Sequence, residues 1–325
     1  MLKQNSPSST PPYPIGVIIP TYNRSDVIVS CLQHLERQSR QDFEVVIIDD
    51  GSTDSTPKLL EEYQRSTPLH LRIIRQNNSG PARARNLAAS VLLAPICLMI
   101  GDDILASPQF VSTHLELHRQ KPAQHVVGLG LTRWCDSGQT ITSFMHWLED
   151  SGVQFAYGEL LNGARPNWKH FYTSNLSMKT QFLLDNPFNI LFTKAAAEDI
   201  ELGFRLERQR GLEVVFIPDA LAHHLHPTSF RQACKRNITV GKSMRLLHGI
   251  WPGAAPPIKS SRLRRGIRDC IVKIPWILPP LTVLAEIATS ISCPNPLMLS
   301  TLSCYYALGY QQTGISGHER TTVPL

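Results

Sequence analysis

Three pairs of adjacent carboxylates and a cluster of histidines are the residues of this chain with the most chemistry in them: Asp49-Asp50, Asp102-Asp103, Glu198-Asp199, and His223, His224 and His226. Asp102-Asp103 closes the apolar run that begins near Leu92 and ends at Gly101. Carboxylates at the tip of a buried strand call for a cation, although an isolated Asp-Asp serves equally well as a cap for the helix starting near Ser107-Pro108. Glu198 and Asp199 open a segment with Leu202 and Leu206 on one face. A helix dipole favours ionised carboxylates in its first turn, and a general base must be ionised before it takes a proton, yet E-D-x-E by itself is also routine capping. His224 and His226 share one side of an extended segment, opposite His223, which makes them either metal ligands or packing groups. His114 and His118 lie one helical turn apart on a polar stretch with no third ligand, a pattern that assigns them to the surface.

These residues need a scaffold, and the pattern supplies one. Apolar β-branched runs at 15–19, 43–48 and 69–75 and the run beginning at Leu92 alternate with helical segments at 25–37, around Leu59, Leu60 and Tyr63, and at 82–93. Such repetition predicts an α/β fold with a mostly parallel central sheet flanked by helices. Ligands of such sheets sit beyond the carboxyl ends of the strands. Thr21-Tyr22-Asn23-Arg24, Asp49-Asp50-Gly51-Ser52, the stretch Asn78 to Arg85, and Asp102-Asp103 all fall there. No G-x-G-x-x-G follows the first strand and no G-x-x-x-x-G-K-[ST] exists, which disfavours dinucleotide and P-loop binding. Further strands are predicted at 171–178 and 213–217. Arg133-Trp134-Cys135-Asp136 and Phe144-Met145-His146-Trp147 suit either an acceptor-side loop or an aromatic core.

Pro20-Thr21-Tyr22-Asn23-Arg24, then Val45 to Asp54 (VVIIDDGSTD), then Gly80-Pro81-Ala82-Arg83-Ala84-Arg85-Asn86 resemble the nucleotide-binding half of glycosyltransferase family 2, from about Pro14 to about Gly249. The resemblance implies the GT-A (nucleotide-diphospho-sugar transferase) fold and sugar transfer with inversion from a nucleotide-diphosphate donor, a UDP-sugar being favoured, to an acceptor hydroxyl. By it, Pro20, Thr21 and Asn23 line the nucleotide pocket, Asp50 hydrogen-bonds the base, and Arg83 or Arg85 faces the base or diphosphate. Asp102 and Asp103 stand for the family's Asp-x-Asp, with Asp103 on the metal and Asp102 on ribose or sugar. Asn175 faces donor sugar or acceptor. Asp199 is the catalytic base and Glu198 binds acceptor hydroxyls, while His224, and after it His226, reaches the metal. The chain departs from the family at Gly101, where many members carry an aspartate. A departing diphosphate accumulates negative charge that a divalent cation stabilises; oxygen ligands suit Mg²⁺ or Mn²⁺, and imidazole tilts the choice to Mn²⁺.

Charge is uneven along the 325 residues. Between Arg231 and Lys273 eleven Lys and Arg face the single acid Asp269, within a net charge of +6. From Ile274 to Tyr310 the chain is apolar, Glu286 being its only acid or base, and prolines interrupt it too often for a spanning helix. A basic cluster at Arg262-Leu263-Arg264-Arg265 beside short apolar helices fits docking on an anionic membrane surface; an apolar cap on the catalytic domain or a homodimer interface fits as well. The expected organisation is a disordered lead (1–13), a catalytic domain (14–228, divided at 105/106 into nucleotide-binding and acceptor halves) and a basic, apolar helical extension (229–325). Seven scattered cysteines without a C-x-x-C pair read as reduced and buried, and the N-terminus lacks the hydrophobic segment of a signal peptide. The expectation is a cytoplasmic enzyme, peripheral on the inner face of the membrane, acting on a glycan or lipid-linked acceptor in cell-surface polysaccharide or glycolipid assembly. A non-catalytic nucleotide-sugar-binding or scaffold protein is the alternative. No nucleic-acid motif is present, so nucleic acid is not an expected partner.

Overall fold

The computed structural model describes residues 12–254, 268 and 270–312. Most of the lead expected over 1–13 and the whole Arg262–Arg265 cluster lie outside the described residues. The chain divides into two compact units, one formed by Met1–Ile141 with Glu149–His226 and the other by Thr142–Leu148 with Pro227–Leu325.

The first unit is built on an eight-stranded sheet. β1 (Ile15–Thr21), β2 (Phe43–Asp49), β3 (His70–Arg75) and β4 (Ile96–Ile100) alternate with α1 (Ile28–Glu36), α2 (Thr56–Gln64) and α3 (Pro81–Val91). β1, β2 and β4 are buried almost throughout, as Val/Ile-rich strands covered on both faces must be. Alternation sends Ile18, Val46 and Ile48 to one core with Ala82, Ala84, Ala88 and Ala89 of α3, whose small side chains let the helix lie close to the sheet. Val17, Ile19, Val45 and Ile47 go to the opposite core with Ile28, Cys31, Leu32 and Leu35 of α1.

Beyond β4 come β5 (Ile104–Ala106), α4 (Phe110–Gln120), β6 (Val126–Trp134), α5 (Ser143–Asp150), α6 (Tyr157–Leu161), β7 (Asn175–Lys179), α7 (Thr180–Asp185), α8 (Glu198–Arg210) and β8 (Glu213–His224). The sheet order is β3-β2-β1-β4-β7-β6-β8-β5, and β7 runs antiparallel to β4.

Four local differences from the sequence pattern matter for the site. A short strand, β5, intervenes between Asp103 and the next helix. The strand expected over 171–178 begins only at Asn175, because Asn167 caps a 3₁₀ turn at Trp168–His170. The strand expected over 213–217 continues to His224 across an irregularity: Gly130 pairs with Ile217 but Leu131 with Leu221, so Pro218–Ala220 loop out of the ladder. His114 and His118 are not on the surface; α4 turns them inward, 0% and 4% exposed. Cys270 also departs from expectation, being exposed.

In the second unit α9 (Phe230–Ile250) starts at a Ser229/Gln232 capping box and packs against the helix Pro296–Gln312. They cross at Gly241 and Gly309, where an added Cβ would fall 2.1 Å from Tyr306 O and 2.0 Å from Ile238 O. On the helix Leu278–Ile291, Val283, Leu284, Ile287 and Ile291 form an exposed apolar stripe. No helix among the described residues is long and apolar enough to cross a membrane.

Candidate active site

The site lies in the first unit, at the carboxyl ends of β1, β2 and β4. Its floor is a set of loops tied to one another by side chains. Asn23, in the left-handed region at φ 53°, receives a bond from Thr53 N at 2.8 Å on its Oδ1, while its own N–H donates to Ser52 Oγ at 2.9 Å. Asp50 accepts from Gln76 Nε2, Ser79 N and Gly80 N at 2.6, 2.8 and 2.8 Å, which shapes the turn ahead of α3. Gly80 is required there: φ is +89°, and a Cβ would strike Thr193 O at 2.4 Å. Thr21 is buried, and its hydroxyl lies against the Asp102 carboxylate, which it helps to hold ionised. Pro20 is half-buried on β1 and Arg83 is exposed on α3.

Asp102 and Asp103 follow β4, and the ladder explains what they meet. Ile104 pairs antiparallel with His224, and Leu225 N donates to Asp103 O at 2.9 Å. His224 Nε2 and His226 Nδ1 therefore approach Asp103 Oδ2, to 3.3 and 3.2 Å. Trp134, cross-strand from His224, stacks on its ring at 5.2 Å, and the His226 ring also stacks with that of His224, at 5.4 Å. Sequence reasoning assigned no role to Arg24, yet its Nη2 lies 2.8 Å from Asp103 Oδ2 and its Nε 3.2 Å from Asp102 Oδ1. The signal was available: two adjacent, half-buried carboxylates call for a countercharge, and Arg24 is the cation of the Pro20–Arg24 motif.

Burial works against ionisation of Asp103, but His224, His226 and Arg24 outweigh it and hold its pKa well below the usual carboxylate range. Asp102 is pushed up to about 7, by burial first and by Asp103 next, against the pull of Arg24. Asp103, His224 and His226 offer one carboxylate oxygen and two imidazole nitrogens within 4.8 Å of one another. That donor set fits a divalent transition ion such as Mn²⁺ better than Mg²⁺, which favours all-oxygen shells.

On α8, Asp199 lies in the first helical turn, with Ala197 in the left-handed region at φ 65°. The helix N-terminus does not dominate its titration. Burial, with the Glu198 carboxylate second, raises its pKa to about 7 against the pull of Arg85. Glu198 and Arg85 face each other at 3.0 Å, both buried, and the Arg85 guanidinium also lies over the Phe188 ring at 5.5 Å. Asn175 differs from its expected role: its amide is fully buried and holds His114, Leu131 O and Ala220 O, so no part of it faces a donor or acceptor.

A mostly parallel sheet with polar loops at the carboxyl ends of its strands, an Asp-His-His cluster beyond β4 and adjacent carboxylates opening α8 belong to the GT-A fold. Residues 16–184 match the model of Glycosyl transferase family 2, and the chain belongs to that family. It is 32% identical over 226 residues to a validoxylamine A glucosyltransferase from Streptomyces hygroscopicus subsp. jinggangensis, covering 62% of this chain and 53% of that one. It is 27% identical over 308 residues to the uncharacterized glycosyltransferase YfnE of Bacillus subtilis, covering 79% and 78%. The chain thus spans about half the length of the Streptomyces relative. Among solved structures it is similar in fold to the mannosyltransferase PcManGT of Pyrobaculum calidifontis in complex with GDP-Man and Mn²⁺, with a TM-score of 0.55 at 20% identity over 92% of this chain and 81% of that one.

Proposed function

We propose that the chain is a metal-dependent, inverting glycosyltransferase that moves a sugar from a nucleotide-diphosphate donor to an acceptor hydroxyl. The observation that carries the reading is the convergence of His224 and His226 on Asp103 Oδ2, beside Asp102 and the loops after β1 and β2. Thr21, Pro20 and Asn23 line the nucleotide pocket. Asp50 faces the base with the acceptor position its three loop bonds leave open, and Arg83 at the surface of α3 reaches toward the phosphates. Asp103, His224 and His226 would hold the ion, Mn²⁺ in preference to Mg²⁺, whose charge stabilises the departing diphosphate. Asp199 takes the proton of the acceptor hydroxyl as its oxygen attacks the anomeric carbon from the side opposite the leaving group. A pKa near 7 suits this task, since half the carboxylates are then ionised at neutral pH and the basicity is higher than an ordinary aspartate's. Glu198 orients the acceptor together with its partner Arg85.

UDP is the favoured nucleotide, by resemblance to the family. The acceptor class is a glycan or lipid-linked saccharide in cell-surface polymer or glycolipid assembly, reached from the cytoplasmic face. The apolar stripe of the second unit and the basic run 231–273 support peripheral contact with anionic lipid. Flotation with anionic vesicles, weakened by Ile287→Asp, tests that part.

Donor turnover decides the main reading. Hydrolysis of a UDP-sugar that requires added Mn²⁺ and stops on chelation is the expected result, as is loss of transfer with retained donor binding in Asp199→Asn. Transfer surviving in Asp199→Asn would remove the base assignment. One observation favours a second reading, a non-catalytic nucleotide-sugar-binding protein: Arg24 lies against both Asp102 and Asp103 and competes with a cation for their oxygens. That reading requires donor binding that is insensitive to chelation and followed by no turnover.

A further inference from the structure

A buried polar run between α4 and β7 takes no part in the proposed reaction. Lys179 Nζ lies 2.8 Å from His118 Nδ1, and His118 Nε2 is 2.9 Å from Ser177 Oγ. Ser177 Oγ is 2.8 Å from His114 Nδ1, and His114 Nε2 is 2.8 Å from Asn175 Oδ1. The Asn175 amide nitrogen then donates to Leu131 O at 3.1 Å and Ala220 O at 2.9 Å.

The chemistry of the groups gives this run one direction. A lysine ammonium has only protons to give, so His118 Nδ1 accepts and Nε2 carries the hydrogen. Ser177 accepts that hydrogen and has one of its own, which goes to His114 Nδ1. His114 Nε2–H therefore donates to Asn175 Oδ1, which fixes the amide with both its N–H groups toward the two carbonyls. Any reversal leaves a buried donor facing a donor. Burial lowers the pKa of His114 to about 4 and of His118 to about 3, which keeps both rings in the neutral form the run requires.

The carbonyls at the end of the run flank the irregularity of β8. Before it Gly130 pairs with Ile217; after it Leu131 pairs with Leu221. Gly130 makes room for the amide, since a Cβ there would come 2.4 Å from Asn175 Oδ1 and 2.5 Å from Ala220 O. Past this point Leu221 to His224 are locked on one side by β6, and Ala222 to His224 on the other by β5. The amide thus sits at the root of the segment whose tip is His224.

We propose that Asn175, oriented by the His118–Ser177–His114 run, is a positioning residue for the Asp103–His224–His226 cluster: it pins the looped-out turn of β8 and so sets where the strand delivers its imidazoles. The proposal rests on the reading of that cluster as a metal site, and its test separates the two. In the full-length chain, Mn²⁺ alone is titrated by calorimetry and amide hydrogen exchange is followed over 220–225 for Asn175→Ser, for Ser177→Ala as the milder lesion, and for Lys179→Met at the surface end. His224→Ala is the ligand control, and Leu32→Val in the opposite core controls for simple loss of stability. The expected result is Mn²⁺ affinity weakened by about 10-fold or more in Asn175→Ser and Ser177→Ala, the scale seen when groups supporting a ligand are removed. Faster exchange confined to 220–225 accompanies it, a smaller change of the same kind follows Lys179→Met, and neither effect appears in Leu32→Val. Unchanged affinity and exchange in Ser177→Ala and Asn175→Ser, with Mn²⁺ lost in His224→Ala, overturns the positioning role and leaves the metal reading intact. A wild-type chain that binds no Mn²⁺ removes the metal reading; exchange over 220–225 then decides the positioning role alone, and an unchanged rate overturns it.

Discussion

Arg85 Nη1 lies 3.0 Å from Glu198 Oε1 in a buried ion pair that joins α3 to α8. Among the described residues Arg85 Nε and Glu198 Oε2 have no hydrogen-bond partner, so each group keeps one position for a further contact. Removing one member of a buried pair leaves the other charge uncompensated, which costs about 3–5 kcal/mol, whereas replacing both with apolar groups restores much of the loss. Glu198→Met is therefore expected to lower stability markedly in urea unfolding, and Arg85→Met with Glu198→Met to recover most of it. A double variant no more stable than the worse single one would show that the pair is not the source.

The same pair tunes the proposed base. Transfer should rise with pH through about 7 as Asp199 ionises. Glu198 raises that pKa and Arg85 lowers it, so Glu198→Gln moves the midpoint toward acid and Arg85→Met toward alkali. Because the folded-state pKa lies above the unfolded one, ionised Asp199 destabilises the fold, a cost absent at low pH and complete above the folded value. Thermal melts of Asp199→Asn should match wild type near about pH 4 and exceed it near about pH 8.

His114 and His118 carry the opposite sign. Both folded-state pKa values are depressed, by burial in each case and for His118 also by the nearby charge of Lys179. The unfolded chain takes up these protons below about pH 6.5 and the folded chain does not, so stability should fall from there toward pH 4. His118→Gln is expected to flatten that acid limb in melts followed by circular dichroism. An unaltered limb would place the acid sensitivity elsewhere.

Gly101 has no room to spare on the side of Asp103. A Cβ at that position would stand 2.9 Å from Asp103 Oδ1, and the carboxylate is already held by Arg24, His224 and His226. Gly101→Ala should weaken Mn²⁺ binding several-fold in calorimetry while leaving affinity for free UDP unchanged. A gain in metal affinity would mean that Asp103 has a better rotamer available than the one it occupies.

The parallel half of the sheet was legible because β1, β2 and β4 are continuous Val/Ile-rich runs, each ended by polar residues that cannot continue a buried strand. The meeting of Asp103 with His224 and His226 followed from resemblance and from alternation along a strand. What local pattern could not reveal were partners far away in the chain. His114 reads as a surface residue until Asn175 and Ser177, some sixty positions on, supply its bonds. Arg85, which the resemblance sets facing the base or diphosphate, has Glu198, 113 positions on, as a partner that no local pattern announces. The three looped-out residues of β8 hide behind Pro218-Asp219, which reads as the end of a strand rather than an interruption of one.

β4 is a seam in the sheet. On one flank it runs alongside β1 in the same direction; on the other it opposes β7, so that Ile100 at its end faces Asn175 at the beginning of its neighbour. A molecule seated over this seam therefore meets two unlike banks, strand ends on the one side and a strand beginning on the other. Such a bed has an intrinsic left and right, so the two ends of an asymmetric guest meet different chemistry in it.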